Sequence, residues 1–144
     1  MKQIARSAIV EHSAAEMYGL VEDIEAYPTF LPWCAAAEVH ERTPDSTKAT
    51  LTVTAAGLRH SFTTLNENRP GESIDMRLVE GPFRRFHGQW RFAPLGSHAC
   101  RIEFVLQYEF SSRTLGRLLA PLFDRIADTM VDAFVRRAQE VHES

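Results

Sequence analysis

The chain has 144 residues, of which 44% are hydrophobic and 24% charged, and its net charge is −3. This size and balance are typical of one globular unit with a single core, so we expect residues 1–144 to form one domain. The negative net charge excludes a positive field over the whole surface, so we expect no DNA partner, and any basic surface must be local.

The chain carries no sequence signal for secretion or for crossing a membrane. Residues 1–6 lack the apolar core of a signal peptide, and no uncharged apolar run has the length of a membrane span. Cys34 and Cys100 match no metal-binding or redox spacing, which predicts two reduced, partly buried thiols. We therefore expect a cytoplasmic protein, with peripheral attachment to the inner membrane as the other option.

The first quarter of the chain predicts a strand, a helix and an apolar connector. Lys2–Val10 is a predicted strand. Ser13 and Glu16 have the spacing of a capping box, which predicts a helix beginning after Ser13. Tyr27–Trp33 contains two prolines, so we expect a connector with at most one short helical turn.

A series of strands is predicted from residue 33 to residue 110. Apolar and polar side chains alternate along these segments, as they do in strands with one buried face. The turns between them are short, which favours an antiparallel meander. The predicted strands are Trp33–Arg42, Thr47–Ala55, Leu58–Glu67, Ser73–Val79, Phe86–Ala93 and Cys100–Phe110, and turns are predicted at Asn68–Gly71 and Pro94–His98.

The last part of the chain, Ser112–Glu143, predicts one long amphipathic helix. Pro121 either kinks this helix or marks the start of its main part, and both readings fit the sequence. The other face of the helix carries Asp124, Asp128 and Asp132, which we expect to be solvated and paired with Arg125 and Arg136. The apolar stripe consists of Leu115, Leu118, Leu119, Leu122, Phe123, Ile126, Met130, Phe134 and Val141.

Together these elements predict an α+β fold, in which a curved antiparallel sheet of about seven strands wraps around the C-terminal helix, with one or two short helices after the first strand. A curved sheet on a helix easily leaves space between the two, and an apolar ligand could occupy that space. We expect inward-facing positions of both to line this cavity. The predicted lining residues are Leu51, Val53, Phe62, Met76, Leu78, Trp90, Phe92, Phe104, Leu106, Leu122, Ile126 and Met130.

Two apolar connectors, Phe30–Trp33 and Gly81–Phe86, have two interpretations. They either plug the ends of the core or form the mouth of the cavity, where exposed aromatic side chains would meet an apolar partner. Arg137 either extends to solvent from the end of the helix or provides a charge at the cavity rim. The predicted mouth residues are Phe30, Leu31, Trp33, Pro82, Phe83 and Arg137, and Arg84 and Arg85 are predicted to contact membrane or RNA phosphates.

Catalytic and metal-binding motifs are missing from the sequence. The six histidines never fall at a metal-ligand spacing, and a tetrahedral metal site needs three or four converging ligands. An enzyme acting in the cavity would need polar groups there, and His60, Tyr108 and Arg137 are the candidates. We therefore expect a protein that is not an enzyme and has no metal or cofactor.

Four groups of residues occur in the order found in one known family. They are Tyr27-Pro28 with Phe30-Leu31-Pro32 and Cys34, then Leu78–Phe83, then Gly88, Trp90 and Phe92, and finally Cys100–Phe104. Together they resemble the START-like superfamily of polyketide cyclases and lipid transport proteins. Within it, the chain resembles the coenzyme-Q-binding branch and its bacterial members of the ribosome-association toxin (RatA) type.

This resemblance implies a helix-grip fold, with a seven-stranded sheet around a C-terminal helix and a hydrophobic cavity between them. It implies a non-catalytic protein that binds ubiquinone, a polyprenyl precursor or another lipid and supports respiration. The alternative is a ribosome-associated toxin that binds the 50S subunit and blocks 70S assembly, with Arg84, Arg85, Arg113 and Arg117 on rRNA phosphates. A second alternative is a polyketide-cyclase-like enzyme.

Overall fold

The computed structural model describes residues 2–55 and 57–142. Within these residues the chain forms seven strands and three α-helices, with a 3₁₀ turn at Ile24–Ala26. The elements are β1 (Lys2–Val10), α1 (Ala14–Glu22), α2 (Tyr27–Phe30), β2 (Cys34–Thr43), β3 (Ser46–Ala55), β4 (Leu58–Arg69), β5 (Ser73–Glu80), β6 (Phe83–Pro94), β7 (Cys100–Phe110) and α3 (Arg113–His142).

The strands form one antiparallel sheet in the order β1-β7-β6-β5-β4-β3-β2. β2 to β7 follow one another as a meander, because each short connection pairs a strand with the next strand of the chain. β1 joins the sheet by pairing with β7. The predicted fold, a curved antiparallel sheet with a long C-terminal helix and short helices after the first strand, is confirmed.

The short helices begin as the sequence predicted. Ser13 Oγ accepts a hydrogen bond from the Glu16 backbone N–H at 3.1 Å, and Glu16 Oε1 accepts one from the Ser13 N–H at 3.2 Å. This capping box starts α1, which buries Met17 and Val21. The predicted helical turn in the following connector is α2.

α3 packs its apolar face against the sheet. Leu119, Phe123 and Phe134 are each at most 2% exposed. The helix is continuous through Pro121, so this proline does not begin a separate main helix. Val141 was predicted on the buried face, but it is 43% exposed, because no apolar surface covers it in the last turn of the helix. None of the helices in the described part of the chain has both the length and the apolar character that crossing a membrane requires.

Two of the three aspartates of α3 pair with β1, and Asp132 has no ion-pair partner among the described residues, so the expected pairing with arginines of the same helix is wrong. Asp124 Oδ1 lies 2.8 Å from Lys2 Nζ, and Asp128 pairs with Arg6. β1 lies at the sheet edge nearest to this face of α3, so its basic side chains reach the carboxylates. These ion pairs join the first strand to the last helix.

Two strand boundaries differ from the prediction by more than one residue. β6 begins at Phe83, three residues earlier than expected, because Phe83 and Arg85 pair with Phe110 and Glu109 of β7. β4 extends to Arg69, which pairs with Ser73 of β5, so the turn follows Arg69. The connector predicted before Phe86 and the turn predicted at Asn68–Gly71 therefore both contain strand residues.

Candidate functional site

An internal cavity of about 60 Å³ lies between the sheet and α3. Its walls come from the segment before β2, from β3 to β7 and from the middle of α3. It is lined by Ile24, Tyr27, Trp33, Ala49, Leu51, Phe62, Thr64, Asn66, Met76, Phe86, Trp90, Phe104, Leu106, Phe123, Ile126 and Met130. Most of these side chains are aromatic or aliphatic, so the cavity can accommodate apolar groups.

The structure brings most of the predicted cavity residues together. Inward positions on a strand repeat every second residue, and α3 presents one apolar stripe, so both patterns point to the same space. The predicted residues that line the cavity are Leu51, Phe62, Met76, Trp90, Phe104, Leu106, Ile126 and Met130. Their role in binding a ligand stays a prediction.

Four predicted lining residues lie elsewhere. Val53 and Phe92 face inward but are 0% and 3% exposed, because they are packed in the core away from the cavity. Leu78 and Leu122 are half-buried and line depressions on the outer surface. Facing the core was therefore not sufficient to place a residue at the cavity.

Sequence reasoning missed two polar lining residues, Thr64 and Asn66 on β4. They lie two and four residues after Phe62, so they share its inward face. Thr64 is 8% exposed and Asn66 is 5% exposed. The alternation along β4 could have identified them, but the prediction considered only apolar side chains as cavity walls.

An outer groove of about 630 Å³ lies between the connector before β2 and α3. The predicted mouth residues Phe30, Leu31, Trp33 and Arg137 all line it. The Arg137 guanidinium lies 4.9 Å from the centre of the Phe30 ring, a cation–π contact. Trp33 lines both the groove and the internal cavity, so this residue borders both spaces.

In the second predicted part of the mouth, Phe83 belongs to the core and Pro82 is half-buried. Phe83 is 5% exposed and stacks on Phe110 with the ring centres 5.2 Å apart. It also meets Phe123 edge to face at 5.1 Å. Pro82 lies beside this cluster of rings, since its carbonyl accepts a hydrogen bond from the Ser111 N–H at 3.0 Å. Because the rings of this cluster fill the space between β6, β7 and α3, neither residue lines the cavity or the groove.

A basic recess of about 550 Å³ lies on the outer surface where β5 and β6 separate. The pairing of these strands ends at Arg77 and His87. Arg84 and Arg85, predicted to contact phosphates, line the recess together with Arg77. Among the described residues, Arg77 and Arg85 have no carboxylate partner, and Arg84 reaches Glu109 only at 3.7 Å. The recess therefore presents positive charge that is not neutralised.

The other two predicted phosphate contacts, Arg113 and Arg117, are exposed in the first turns of α3 and do not line the recess. The start of α3 is tied to the start of β6 by the hydrogen bond between Ser111 and Pro82. Both groups of arginines consequently lie near the same end of the molecule.

The polar groups considered for catalysis do not converge in the cavity. Tyr108 Oη donates to Asp124 Oδ1 at 2.6 Å, and Arg137 lines the outer groove. His60 is half-buried, its Nε2 has no hydrogen-bond partner among the described residues, and it does not line the cavity. Within residues 2–55 and 57–142, no group of three or more His, Cys, Asp or Glu side chains is arranged to hold a metal ion.

The pKa values of Tyr108 and Asp124 are shifted in opposite directions by their contact and their surroundings. Burial, and then the hydrogen bond and the negative charge of Asp124, raise the pKa of Tyr108. For Asp124, partial burial acts to raise the pKa, but hydrogen bonds from Lys2 and Tyr108 outweigh it and hold the pKa below its usual value. Both residues therefore keep their ordinary charge states at neutral pH, as expected for a structural contact.

Comparison with known proteins points to one family. A family model described as polyketide cyclase/dehydrase and lipid transport matches residues 10–135. The chain is 43% identical over 144 residues to the ribosome association toxin RatA of Escherichia coli K12, covering 100% of this chain and 91% of that protein. It is 26% identical over 144 residues to the mitochondrial coenzyme Q-binding protein COQ10 homolog B of Xenopus laevis, covering 97% of this chain and 59% of that protein.

Solved structures share the architecture. Zhui aromatase/cyclase from Streptomyces sp. R1128 superposes with a TM-score of 0.83 over 96% of this chain and 93% of that chain, at 17% identity, which shows the fold alone. An 18 kDa protein from Caulobacter crescentus is 32% identical, with a TM-score of 0.76 over 100% of both chains. A START superfamily protein from Mycobacterium smegmatis has a TM-score of 0.71 at 21% identity, over 93% of this chain and 97% of that chain.

Proposed function

The chain belongs to the polyketide cyclase/dehydrase and lipid transport family, and from that premise we propose that it binds a hydrophobic small molecule between its sheet and α3 without catalysing a reaction. The observation that carries this proposal is the internal cavity, whose walls are mainly apolar side chains of both elements. Each Å² of apolar ligand surface removed from water there would stabilise the complex by about 25 cal/mol.

Ligand binding requires the cavity to widen. Its volume of about 60 Å³ accommodates a few water molecules, whereas pockets for larger ligands measure roughly 300–1,000 Å³. Met76 and Met130 line the cavity and are only half-buried, and methionine side chains adapt readily to new shapes. Trp33 borders both the cavity and the outer groove of about 630 Å³. We infer that a ligand enters past Trp33 and continues into the cavity.

The ligand class that we propose is ubiquinone, a polyprenyl precursor or a similar lipid, with a role in supporting respiration. The relative named coenzyme Q-binding protein supports this choice, since 97% of this chain aligns with it. The mainly apolar wall of the cavity also suits an isoprenoid tail once the cavity has widened, because each buried methylene-sized unit contributes about 0.8 kcal/mol.

A thermal melt with ubiquinone-2 tests the proposal. A tenfold excess over Kd stabilises the folded state by about 1.4 kcal/mol, which raises the Tm by a few degrees. Ala49 is 2% exposed and lines the cavity, so Ala49→Leu would fill it and abolish the shift. Ala93 lies on β6 and is exposed, so Ala93→Leu is the matched control and should retain the shift.

Two results would contradict this function. One is the absence of any Tm shift for the wild-type protein with ubiquinones and phospholipids, together with clean mass spectra of its organic extracts. The other is an equal shift in wild type and Ala49→Leu, which would place the ligand outside the cavity.

Ribosome association is the second candidate, and a specific observation favours it. The chain is 43% identical along its whole length to a protein named ribosome association toxin. We propose that in this role the protein binds the 50S subunit and blocks 70S assembly through its basic recess, where Arg77 and Arg85 have no carboxylate partner among the described residues. The phosphate contacts would be salt-dependent.

Sucrose gradients with added protein test this second role. Arg84→Glu/Arg85→Glu should restore 70S particles. It should also reduce the slope of log K for ribosome binding against log salt concentration by the amount expected for about two phosphate contacts. Arg69→Glu/Arg91→Glu changes the charge equally in a different surface depression, so it should behave as wild type. Unchanged 70S levels with the wild-type protein would remove this candidate.

We do not propose a cyclase activity. Acid–base catalysis needs side chains within hydrogen-bonding reach of the reacting group. His60, Tyr108 and Arg137 do not line the cavity, and the structural likeness to an aromatase/cyclase at 17% identity concerns the fold.

A further inference from the structure

The inward face of β4 changes from apolar to polar along the strand. Phe62 is 7% exposed, and the next inward positions, Thr64 and Asn66, are 8% and 5% exposed. Leu65, which lies between them and points outward, is 42% exposed. The strand therefore buries an amide and exposes a leucine. Burying an amide is unfavourable unless it is hydrogen-bonded, so the free-energy cost of burying Asn66 depends on its hydrogen-bond partners.

Asn66 uses only one end of its side-chain amide. Its Oδ1 accepts a hydrogen bond from Thr64 Oγ1 at 2.9 Å. Its Nδ2 can donate two hydrogen bonds but has no acceptor among the described residues. Asn68 differs, because its Nδ2 donates to Thr47 Oγ1 at 2.9 Å, and it is the Oδ1 that is buried without a partner among the described residues. Thr64 and Asn66 line the internal cavity, whereas Asn68 does not, so the unpaired donors belong to the cavity wall.

The rest of the cavity wall offers Asn66 no partner. The Tyr27 hydroxyl donates to the carbonyl of Val21. The indole N–H of Trp90, the other buried donor in the wall, also has no acceptor within the described part of the chain. A purely hydrocarbon ligand would separate these donors from water without replacing their hydrogen bonds. A ligand with an oxygen acceptor would satisfy Asn66 and would bind more tightly for that reason.

We propose that Asn66 makes the cavity selective for apolar molecules that carry a carbonyl oxygen, which accepts a hydrogen bond from its Nδ2. This inference rests on the proposed ligand-binding function and adds the chemistry that the ligand must present. The Thr64 hydroxyl donates to Oδ1 of this amide, so the Nδ2 donors remain for the ligand.

Two probes with the same carbon skeleton, 1-tetralone and tetralin, test the proposal, since they differ by one carbonyl group. The measured quantity is the ratio of the tetralin Kd to the 1-tetralone Kd, obtained by NMR titration of the ¹⁵N-labelled full chain. Asn66→Leu keeps the size of the side chain and removes the donor, so this ratio should fall about tenfold from its wild-type value. Asn68→Leu is the matched control on the same face of the same strand, and it should keep the wild-type ratio.

The wild-type spectrum gives an independent readout if Asn66→Leu does not fold. The side-chain NH₂ signals of Asn66 should shift on addition of 1-tetralone and remain in place with tetralin. An unchanged Kd ratio in Asn66→Leu, or NH₂ signals that respond equally to both probes, would overturn the selectivity proposal and leave the ligand-binding function standing. If neither probe nor ubiquinone-2 bound the wild-type protein, the proposed function itself would fail.

Discussion

The two halves of the sheet differ in how tightly they pack against α3. In the packed half, formed by β1, β6 and β7, Ile102 and Phe104 are at most 1% exposed. In the open half, formed by β2 to β5, the inward residues Leu51, Met76 and Leu78 are only partly buried. The internal cavity lies where the two halves meet, with walls from both. The packed half therefore supplies most of the fully buried apolar residues of the sheet, and both halves border the free volume.

The strand pairing follows the same division. β6 and β7 pair from Phe83 opposite Phe110 to Pro94 opposite Cys100, while β5 and β6 pair only between residues 73–77 and 87–91. A short ladder between the halves leaves the ends of β5 and β6 free to move apart. One sheet can therefore pack firmly against the helix on one side and leave room for a ligand on the other.

The largest expected effect is on stability and compares the two halves directly. Ile102→Ala in the packed half should lower the free energy of unfolding by about 3–5 kcal/mol, because this side chain is fully buried away from the cavity and its neighbours cannot close the space that it leaves. Met76→Ala in the open half should cost about 2 kcal/mol or less, since this side chain is half-buried beside existing free volume. Urea denaturation measures both, and equal losses would refute the distinction between the halves.

A pair of glycines tests whether the free volume beside Met76 is accessible. A Cβ at Gly88 would lie 2.5 Å from Met76 Cε, the end of a flexible side chain, whereas a Cβ at Gly81 would lie 2.7 Å from Phe62 Cβ. Gly88→Ala should therefore cost less than about 1 kcal/mol, because the methionine methyl can move into the cavity. Gly81→Ala should cost about 1–3 kcal/mol, because Phe62 cannot move without its backbone.

Denaturation curves of both glycine variants provide the measurement, and binding of ubiquinone-2 provides a second one. Gly88→Ala should weaken the ligand more than Gly81→Ala does, since it displaces Met76 into the binding space. A severe loss of stability in Gly88→Ala would mean that Met76 is held rigidly, and the open half would then lack the adaptability that ligand entry requires.

The sequence was sufficient for the fold because local patterns determined the elements. The capping box at Ser13 and the alternation in Cys100–Phe110 each specify a local structure. The short turns then permitted only a meander. Phe83 was misplaced because Gly81-Pro82 signals a break, and only its pairing with Phe110 across the sheet shows that the strand begins immediately afterwards.

The candidate site was only partly predictable. Alternation indicates which residues face inward, but not whether α3 touches them, so Val53 and Phe92 could not be separated from Leu51 and Phe62. That distinction depends on the distance between sheet and helix, which is a property of the whole fold. Asn66 was missed for a different reason. Its inward position follows from its spacing from Phe62, but only apolar side chains were considered as cavity walls.

A smaller effect concerns the contact between the packed half and α3. Tyr108→Phe removes the hydrogen bond to Asp124 and should lower the free energy of unfolding by about 1 kcal/mol at pH 7, at the low end for a charged acceptor because Asp124 is 37% exposed. The pKa of Asp124 is lowered in the folded protein, so its contribution is present above the ordinary carboxyl pKa of about 3.9.

This contribution is lost as the pH falls through the lowered pKa of folded Asp124. The difference between wild type and Tyr108→Phe should therefore shrink from pH 7 to pH 3. Thermal melts at the two pH values measure it, and a difference that stays constant would show that the hydroxyl acts independently of the carboxylate charge.

The rates at which the two cysteines are chemically modified measure local opening in the two halves. This difference in rate is the smallest effect that we expect. Cys34 begins β2, an edge strand of the open half, whereas Cys100 begins β7, which lies between β1 and β6. Burial raises the pKa of Cys34 to about 11, and burial also raises the pKa of Cys100, so both thiols react slowly in the folded protein.

Reaction with iodoacetamide at pH 8 therefore requires transient opening, and an edge strand opens more easily than an interior strand. We expect Cys34 to be modified severalfold faster than Cys100, as measured by mass spectrometry of peptides at successive times. In urea, where both thiols are fully exposed, the two rates should become equal. Faster modification of Cys100 in the folded protein would place the more mobile region beside α1 and β7, and the assignment of the open half would have to be reversed.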